Sequence, residues 1–236
     1  METMKTHIDR KHEFTRTEIK DTARELMAEL GTAGISLRGI ARRMDLTAPA
    51  IYRYFPNLDD LITALILDDF NDLADTLEAA RATSVEAGKK TPEQILAVLN
   101  SYREWALQKP VDFQLIYGNP IPGYVAPAEI TVPAVIRGFR VIVQLMADAM
   151  ANGDLIPTPD YGKIPAPARA AMEPITLING YDVPVEAVYL ATVGWPMIHG
   201  IIMLELFNHL QPMTGNVEVF YQTQVVNLLK SMGMKF

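Results

Sequence analysis

Between Thr47 and Tyr54 the chain sets Thr47, Ala48, Ala50, Tyr52, Arg53 and Tyr54 on the outward side of what their spacing predicts to be a short helix. Hydroxyls and a guanidinium can bond phosphate oxygens, and methyl-sized side chains let a helix come close to base edges. The chemistry on offer is hydrogen bonding to a duplex, not the making or breaking of covalent bonds. The rest of the chain supplies little for an enzyme. Cysteine is absent, no His-x-x-x-His pair, Gly-x-Ser-x-Gly elbow or glycine-rich phosphate loop occurs, and His7, His12, His199 and His209 are scattered. His199 and His209 would lie about 80° apart on one helix and do not share a site easily. Asp68, Asp72 and Asp75 fall at i, i+4, i+7 and are read as a solvated face, not a metal site. Neither a metal nor a cofactor is expected.

The elements that must position the Thr47–Tyr54 face are legible around it. Ser36 is a good N-cap, and Leu37, Ile40, Ala41 and Met44 then give one apolar face of a two-turn helix, with Arg38, Arg42 and Arg43 on the other. Asp45 stands where the chain must turn sharply, and aspartate enters the left-handed region at modest cost. Thr47 is expected to cap the second helix, with Pro49 in its first turn and Ile51 and Phe55 on its buried side. Pro56 stops it, and Asn57 with Asp60 caps the next. Two short helices joined by a tight turn and followed at once by a third form the layout of a DNA-reading helix-turn-helix.

The run from about Thr17 to Leu61 resembles the DNA-binding domain of the TetR family of bacterial transcriptional regulators. The stretches that carry the likeness are Leu37-Arg38-x-Ile40-Ala41, Ala50-Ile51-Tyr52-Arg53-Tyr54-Phe55 and Asp59-Asp60-Leu61. Further along, Trp195-Pro-Met-Ile-His199-Gly200 is similar to the Trp-x-x-x-His-Gly signature of one C-terminal class in that family. Two departures stand out: Leu58 replaces a common phosphate-binding lysine, and Asp45 replaces the usual turn glycine. The resemblance implies a homodimeric regulator, most often a repressor, released from double-stranded operator DNA when a small molecule tilts or spreads the heads.

Composition agrees. The chain has 236 residues, 49% of them hydrophobic, and a net charge of −7. Residues 1–56 hold ten Lys/Arg against eight Asp/Glu, +2, whereas residues 57–236 hold eleven against twenty, −9. A mildly positive head on an acidic body turns its head toward phosphate. Arg10, Lys11, Arg16 and Lys20 are read as a flexible basic arm for phosphates or a minor groove, although Asp9, Glu13, Glu18 and Asp21 interleave with them. The first sixteen residues are polar and mixed in charge, unlike an export signal, so a cytoplasmic location is expected. Ala187–Leu204 carries no formal charge but holds Gly194, Pro196, His199 and Gly200 between Glu186 and Glu205, and reads as a buried helix rather than a membrane span.

The expected fold is all-α with about nine helices: an N-terminal three-helix DNA-binding domain over 1–56, then a helical ligand-binding and dimerisation bundle over 57–236. Helices are predicted over about 16–30, 57–82, 132–152, 185–210 and 217–232. Another starts at Thr91 as cap with Pro92 and Gln94 behind it, and a short piece covers 111–117. Residues 154–184, with six prolines, are expected to be irregular apart from a turn near 168–172. The DNA-contacting set is Ser36, Arg38, Thr47, Ala48, Pro49, Ala50, Tyr52, Arg53 and Tyr54, with Arg16 and Lys20 behind them. Tyr102, Trp105, Phe113, Tyr117, Phe139, Met146, Trp195, His199 and Met203 are the candidates to surround an apolar or aromatic effector. The dimer is placed on the last two helices through Val188, Ile202, Leu206, Phe220 and Leu228. The competing function is a helical ligand-binding or protein-interaction module without sequence-specific DNA binding, which would leave the Thr47–Tyr54 face without a purpose.

Overall fold

The computed structural model describes residues 7–178 and 182–236, so residues 179–181 of the proline-rich stretch and the first six of the mixed-charge opening lie outside the described residues. Among the described residues eleven α-helices follow one another: α1 (His7–Leu30), α2 (Leu37–Arg43), α3 (Ala48–Tyr52), α4 (Leu58–Glu86), α5 (Thr91–Gln108), α6 (Pro110–Tyr117), α7 (Ala128–Ala151), α8 (Ala166–Ile178), α9 (Val185–Leu206), α10 (Gln211–Thr214) and α11 (Val217–Met232). Among the described residues the only extended pairing is an isolated antiparallel bridge between Leu155 and Met234.

The two helices beyond the expected nine, and the shifted ends, have local causes. No glycine or proline interrupts His7–Leu30, so Arg10 and Lys11 belong to α1 and are not a flexible arm. α5 is capped one residue earlier than expected: the Lys90 amide donates to Glu93 Oε2 at 2.9 Å, closing from Glu93 the box assigned to Gln94, while Thr91 Oγ1 accepts from Asn152. α8 starts cleanly because Pro165 precedes it and Pro167 lies in its first turn, where a missing N–H costs nothing, and it carries Pro174 inside it. α9 stops at Leu206 because Asn208 adopts φ 58°, a left-handed residue that ends helices.

Contacts divide the chain into two compact units: the chain up to Phe70 with Lys109–Val132, and Asn71–Gln108 with Pro133–Phe236. The expected head of 1–56 lies wholly in the first, which also takes in the first half of α4 and all of α6. In that unit Ile19, Ala23, Ile40, Ile51, Phe55, Leu61, Leu65 and Phe113 are buried, and α1 packs on α2 and α6 while α2 packs on α3. In the second unit α9 packs on α5, α8 and α11 around Ile95, Val98, Leu145, Leu190, Ile202, Tyr221 and Val225. α7 and α9 are long and apolar enough to cross a bilayer, but each buries much of its apolar surface in protein: Val143, Leu145 and Ala149 from α7, Ala187, Leu190 and Ile202 from α9. Gly233 has a packing reason to be glycine. At φ 105° a Cβ there would meet the Ile156 carbonyl oxygen, whose own amide donates to the Gly233 carbonyl at 3.2 Å.

Candidate functional site

Ser36 starts α2 by accepting the Gly39 amide on Oγ at 3.1 Å, and Leu37, Ile40 and Ala41 turn into the core. The turn that follows is pinned on both sides: Met44 donates to Ile40 O at 3.0 Å and Leu46 to Ala41 O at 2.9 Å. Asp45 stands between them at φ 54°, the left-handed conformation its place requires. Thr47 then occupies the N-cap of α3 without a side-chain cap bond, so its hydroxyl, expected to serve the cap, is left for something else. Pro49 sits in the first turn, and Ile51 and Phe55 are fully buried one turn apart. This leaves Thr47, Pro49, Tyr52 and Arg53 exposed and Ala48, Ala50 and Tyr54 half-exposed, a shallow surface of hydroxyls, methyl-sized groups and one guanidinium.

Exposed cations flank this surface. Arg38 and Arg42 on α2, and Arg53, form no ion pair among the described residues, and all three are open to solvent. Arg42 was outside the expected contact set, though its place beside Arg38 on the polar face of α2 was a usable signal. Arg43 is not available in the same way, since Glu29 holds it bidentately at 3.0 and 2.6 Å.

Arg16 and Lys20, expected to reach phosphate, are turned inward. Arg16 donates to the Tyr54 carbonyl at 3.1 Å with its guanidinium 4.3 Å from the Phe55 ring centre, and Lys20 pairs with Asp68 at 2.6 Å. Arg16 thus braces the end of the reading segment, and Lys20 ties α1 to α4. Tyr54 itself lies with its ring centre 4.6 Å from that of His12, which fixes where its hydroxyl can go. Asn57 caps α4, accepting the Asp60 amide at 2.8 Å.

The aspartates read as a solvated face are each engaged: Asp68 by Lys20, Asp72 by the Trp105 indole N–H at 2.5 Å, and Asp75 by Arg137 at 2.5 Å. Of the nine candidate effector contacts, Phe113 and Tyr117 belong to the first unit, where Tyr117 meets Phe70 edge-on and Phe113 at 5.3 Å. The other seven belong to the second unit. There the Tyr102 hydroxyl and His199 Nδ1 are 2.9 Å apart and the Trp195 ring lies 5.2 Å from the imidazole. Burial holds the His199 pKa below its ordinary value, so the ring is neutral at physiological pH. Tyr102, Trp105 and Met146 are buried and Phe139, His199 and Met203 half-buried. A separate groove of about 640 Å³ runs between α4 and α7, lined by Arg81, Val85, Ile136, Arg137, Arg140 and neighbours, and none of the nine lines it.

The expected dimer residues are corrected by burial. Val188, Ile202 and Leu228 are 3%, 0% and 8% exposed, so they complete the core of their own protomer; Leu206 and Phe220 are only half-buried. The apolar groups left in solvent on α9 are Trp195, Met197 and Leu204, with Phe207 just beyond its end and Val219 on α11. α9 is apolar all round, so its periodicity could not say which side faces in.

Comparison with known proteins completes the picture. Residues 19–65 match the family of bacterial regulatory proteins of the tetR type, and residues 95–228 match the tetracyclin repressor-like C-terminal domain. The chain is 32% identical over 195 residues to the HTH-type transcriptional regulator Rv1816 of Mycobacterium tuberculosis, covering 83% of this chain and 82% of that protein; the regulator Mb1846 of Mycobacterium bovis matches to the same extent. The crystal structure of regulatory protein SCO4313 superposes with a TM-score of 0.76 at 31% identity, covering 94% of this chain and 98% of that one. A tetR-family protein from Rhodococcus RHA1 shares the fold at 15% identity, with a TM-score of 0.64 over 94% of this chain and 98% of its own. With a helix-turn-helix of this geometry and matches across both parts of the molecule, the chain belongs to the TetR family of bacterial transcriptional regulators, DNA-binding proteins and not enzymes.

Proposed function

We propose that the protein is a cytoplasmic, homodimeric repressor that binds a near-palindromic operator and is released by a small, uncharged apolar or aromatic effector. The observation that carries the reading is the exposed Thr47–Arg53 surface, held by a pinned turn and flanked by the exposed Arg38 and Arg42. In this reading Thr47, Ala48, Pro49 and Ala50 approach base edges, and Ser36, Arg38, Tyr52, Arg53 and Tyr54 hold the backbone. Ser36 can cap α2 with a lone pair and still donate its hydroxyl proton to a phosphate.

The dimer forms through the outer sides of α9 and α11, on the exposed apolar groups Met197, Leu204, Phe207 and Val219, setting the two reading helices about 34 Å apart, one turn of DNA. The effector site is assigned to the neighbourhood of Tyr102, Trp195 and His199 in the second unit. A neutral imidazole and an indole there suit a flat, uncharged molecule with one hydrogen-bonding group.

Selection of bound fragments from random duplex DNA at physiological salt tests the reading, with Tyr52→Ala as control. A near-palindrome should be enriched by the natural protein. Tyr52→Ala should weaken binding to all duplexes about equally, and substitutions at Ala50 should change the preferred sequence. Absence of enrichment by a folded dimer refutes operator binding. Leu204→Glu, read by sedimentation, should give monomers with much weaker operator binding; a persisting dimer would move the interface elsewhere.

A further inference from the structure

His12, Arg16, Lys20 and Arg24 recur at every fourth residue of α1 and so share one face. The first two grip the end of the reading segment, through the Tyr54 ring and carbonyl and the Phe55 ring. The second two grip α4 and α6. Lys20 Nζ meets Asp68 at 2.6 Å, Arg24 Nη2 meets Asp69 Oδ1 at 2.6 Å, and Arg24 Nε meets Asp112 Oδ1 at 2.9 Å. One helix face thus braces the DNA-reading segment at one end and is tethered at the other.

The charges at the tethered end do not balance. From α1 come Lys20, Asp21 and Arg24, from α4 Asp68 and Asp69, and from α6 Asp112; Lys109, which caps α6, is the other charged group on that element. In the ion pairs of this cluster four carboxylates meet two cations, Lys20 and Arg24. Asp69 is the innermost, with its side chain 2% exposed, and no donor among the described residues reaches its Oδ2. A buried carboxylate with an unmet oxygen and a like-charged neighbour gains from taking up a proton. Burial first, and then the Asp112 charge, push the Asp69 pKa up to about 7 against the pull of Arg24.

We propose that the Arg24–Asp69–Asp112 cluster is a proton-operated latch: with a proton on Asp69 the tether of α1 to α4 and α6 is at its firmest, and loss of that proton loosens α1 and weakens operator binding. The direction follows from linkage. Any arrangement that releases Asp69 to water returns it to an ordinary, weaker proton affinity, so the proton favours the latched arrangement. The inference rests on operator binding as read above.

The test is operator affinity at pH 6 and pH 8, at one ionic strength, for the natural protein and Asp69→Asn, by fluorescence anisotropy on the selected duplex. The natural protein should bind about three- to tenfold more tightly at pH 6. Asp69→Asn, permanently uncharged, should bind at pH 8 nearly as the natural protein does at pH 6. Equal pH dependence in the two proteins overturns the latch while leaving operator binding intact, whereas no binding at either pH overturns operator binding and the latch with it. A carboxyl-carbon NMR titration gives a check that needs no DNA. Asp69 should titrate far above the other aspartates and move down in Asp112→Asn, and an ordinary midpoint refutes the proposal.

Discussion

Arg103 in the second unit and Arg24 in the first are both arginines drawn into protein, and they are answered differently. Arg103 meets Glu205 with two parallel bonds, 2.8 Å from Nε and 2.6 Å from Nη2, so both carboxylate oxygens are used, and its guanidinium lies 5.4 Å from the Tyr221 ring centre. Tyr221 is itself tied down, donating to the Leu99 carbonyl at 2.6 Å, and burial pushes its phenol pKa up. Arg24 divides its donors between Asp69 and Asp112, with Asp68 and Asp21 nearby and one oxygen of Asp69 unmet. A one-to-one bidentate pair closes its own account of charge and hydrogen bonds, which suits a fixed joint between α5 and α9. An excess of carboxylates leaves an electrostatic deficit that a proton can fill, which suits a joint that responds.

The largest effect should come from breaking the matched pair. Arg103→Ala leaves Glu205, 8% exposed, as an unanswered buried charge and should cost about 3–5 kcal/mol in urea denaturation; a loss well under 1 kcal/mol would mean that Glu205 finds water and the joint is not closed.

The unmatched cluster should show itself through pH. The Asp69 pKa is raised on folding from 3.8 to about 7, so between those values the native state holds more protons than the unfolded one. Its contribution to stability is therefore complete below pH 4 and lost as pH rises toward 7. Thermal melts should place Asp69→Asn above the natural protein at pH 8, with the gap narrowing toward pH 4. A gap of the same size at both ends would show that Asp69 does not titrate there.

The smallest effect belongs to the exposed Arg43–Glu29 pair, which has bidentate geometry like that of Arg103–Glu205 but lies in solvent. Arg43→Ala should leave the melting temperature unchanged within error at physiological salt, because water and ions screen what burial would amplify. A clear drop would mean that geometry, not burial, sets the strength of these pairs.

How much of this was legible beforehand follows the range of the interactions involved. Ser36, Asp45, Pro49 and the Ile51/Phe55 spacing act over four residues or fewer, and the reading segment stands as they predict. The internal partners of Arg16 and Lys20 could not be foreseen, because Tyr54 and Asp68 are 38 and 48 residues away. Composition marks both side chains as cations and says nothing of what faces them. The candidate effector contacts fared unevenly for the same reason: Tyr102, Trp195 and His199 are brought together across 97 residues, while Phe113 and Tyr117 went to the other unit.

What the sequence by itself determined is therefore local and periodic: most of the helices, the caps at Ser36 and Asn57, the left-handed turn at Asp45, and a polar face on a short helix that only a surface partner would need. Tertiary structure alone decided which side of the uniformly apolar α9 is core and which is left outside, and which of the many carboxylates share one arginine. The physical reason is that burial and charge pairing depend on neighbours in space. Arg24 and Arg103 are the same residue in one dimension and become a responsive joint and a fixed one only when α4, α6 and α9 bring Asp69, Asp112 and Glu205 to them.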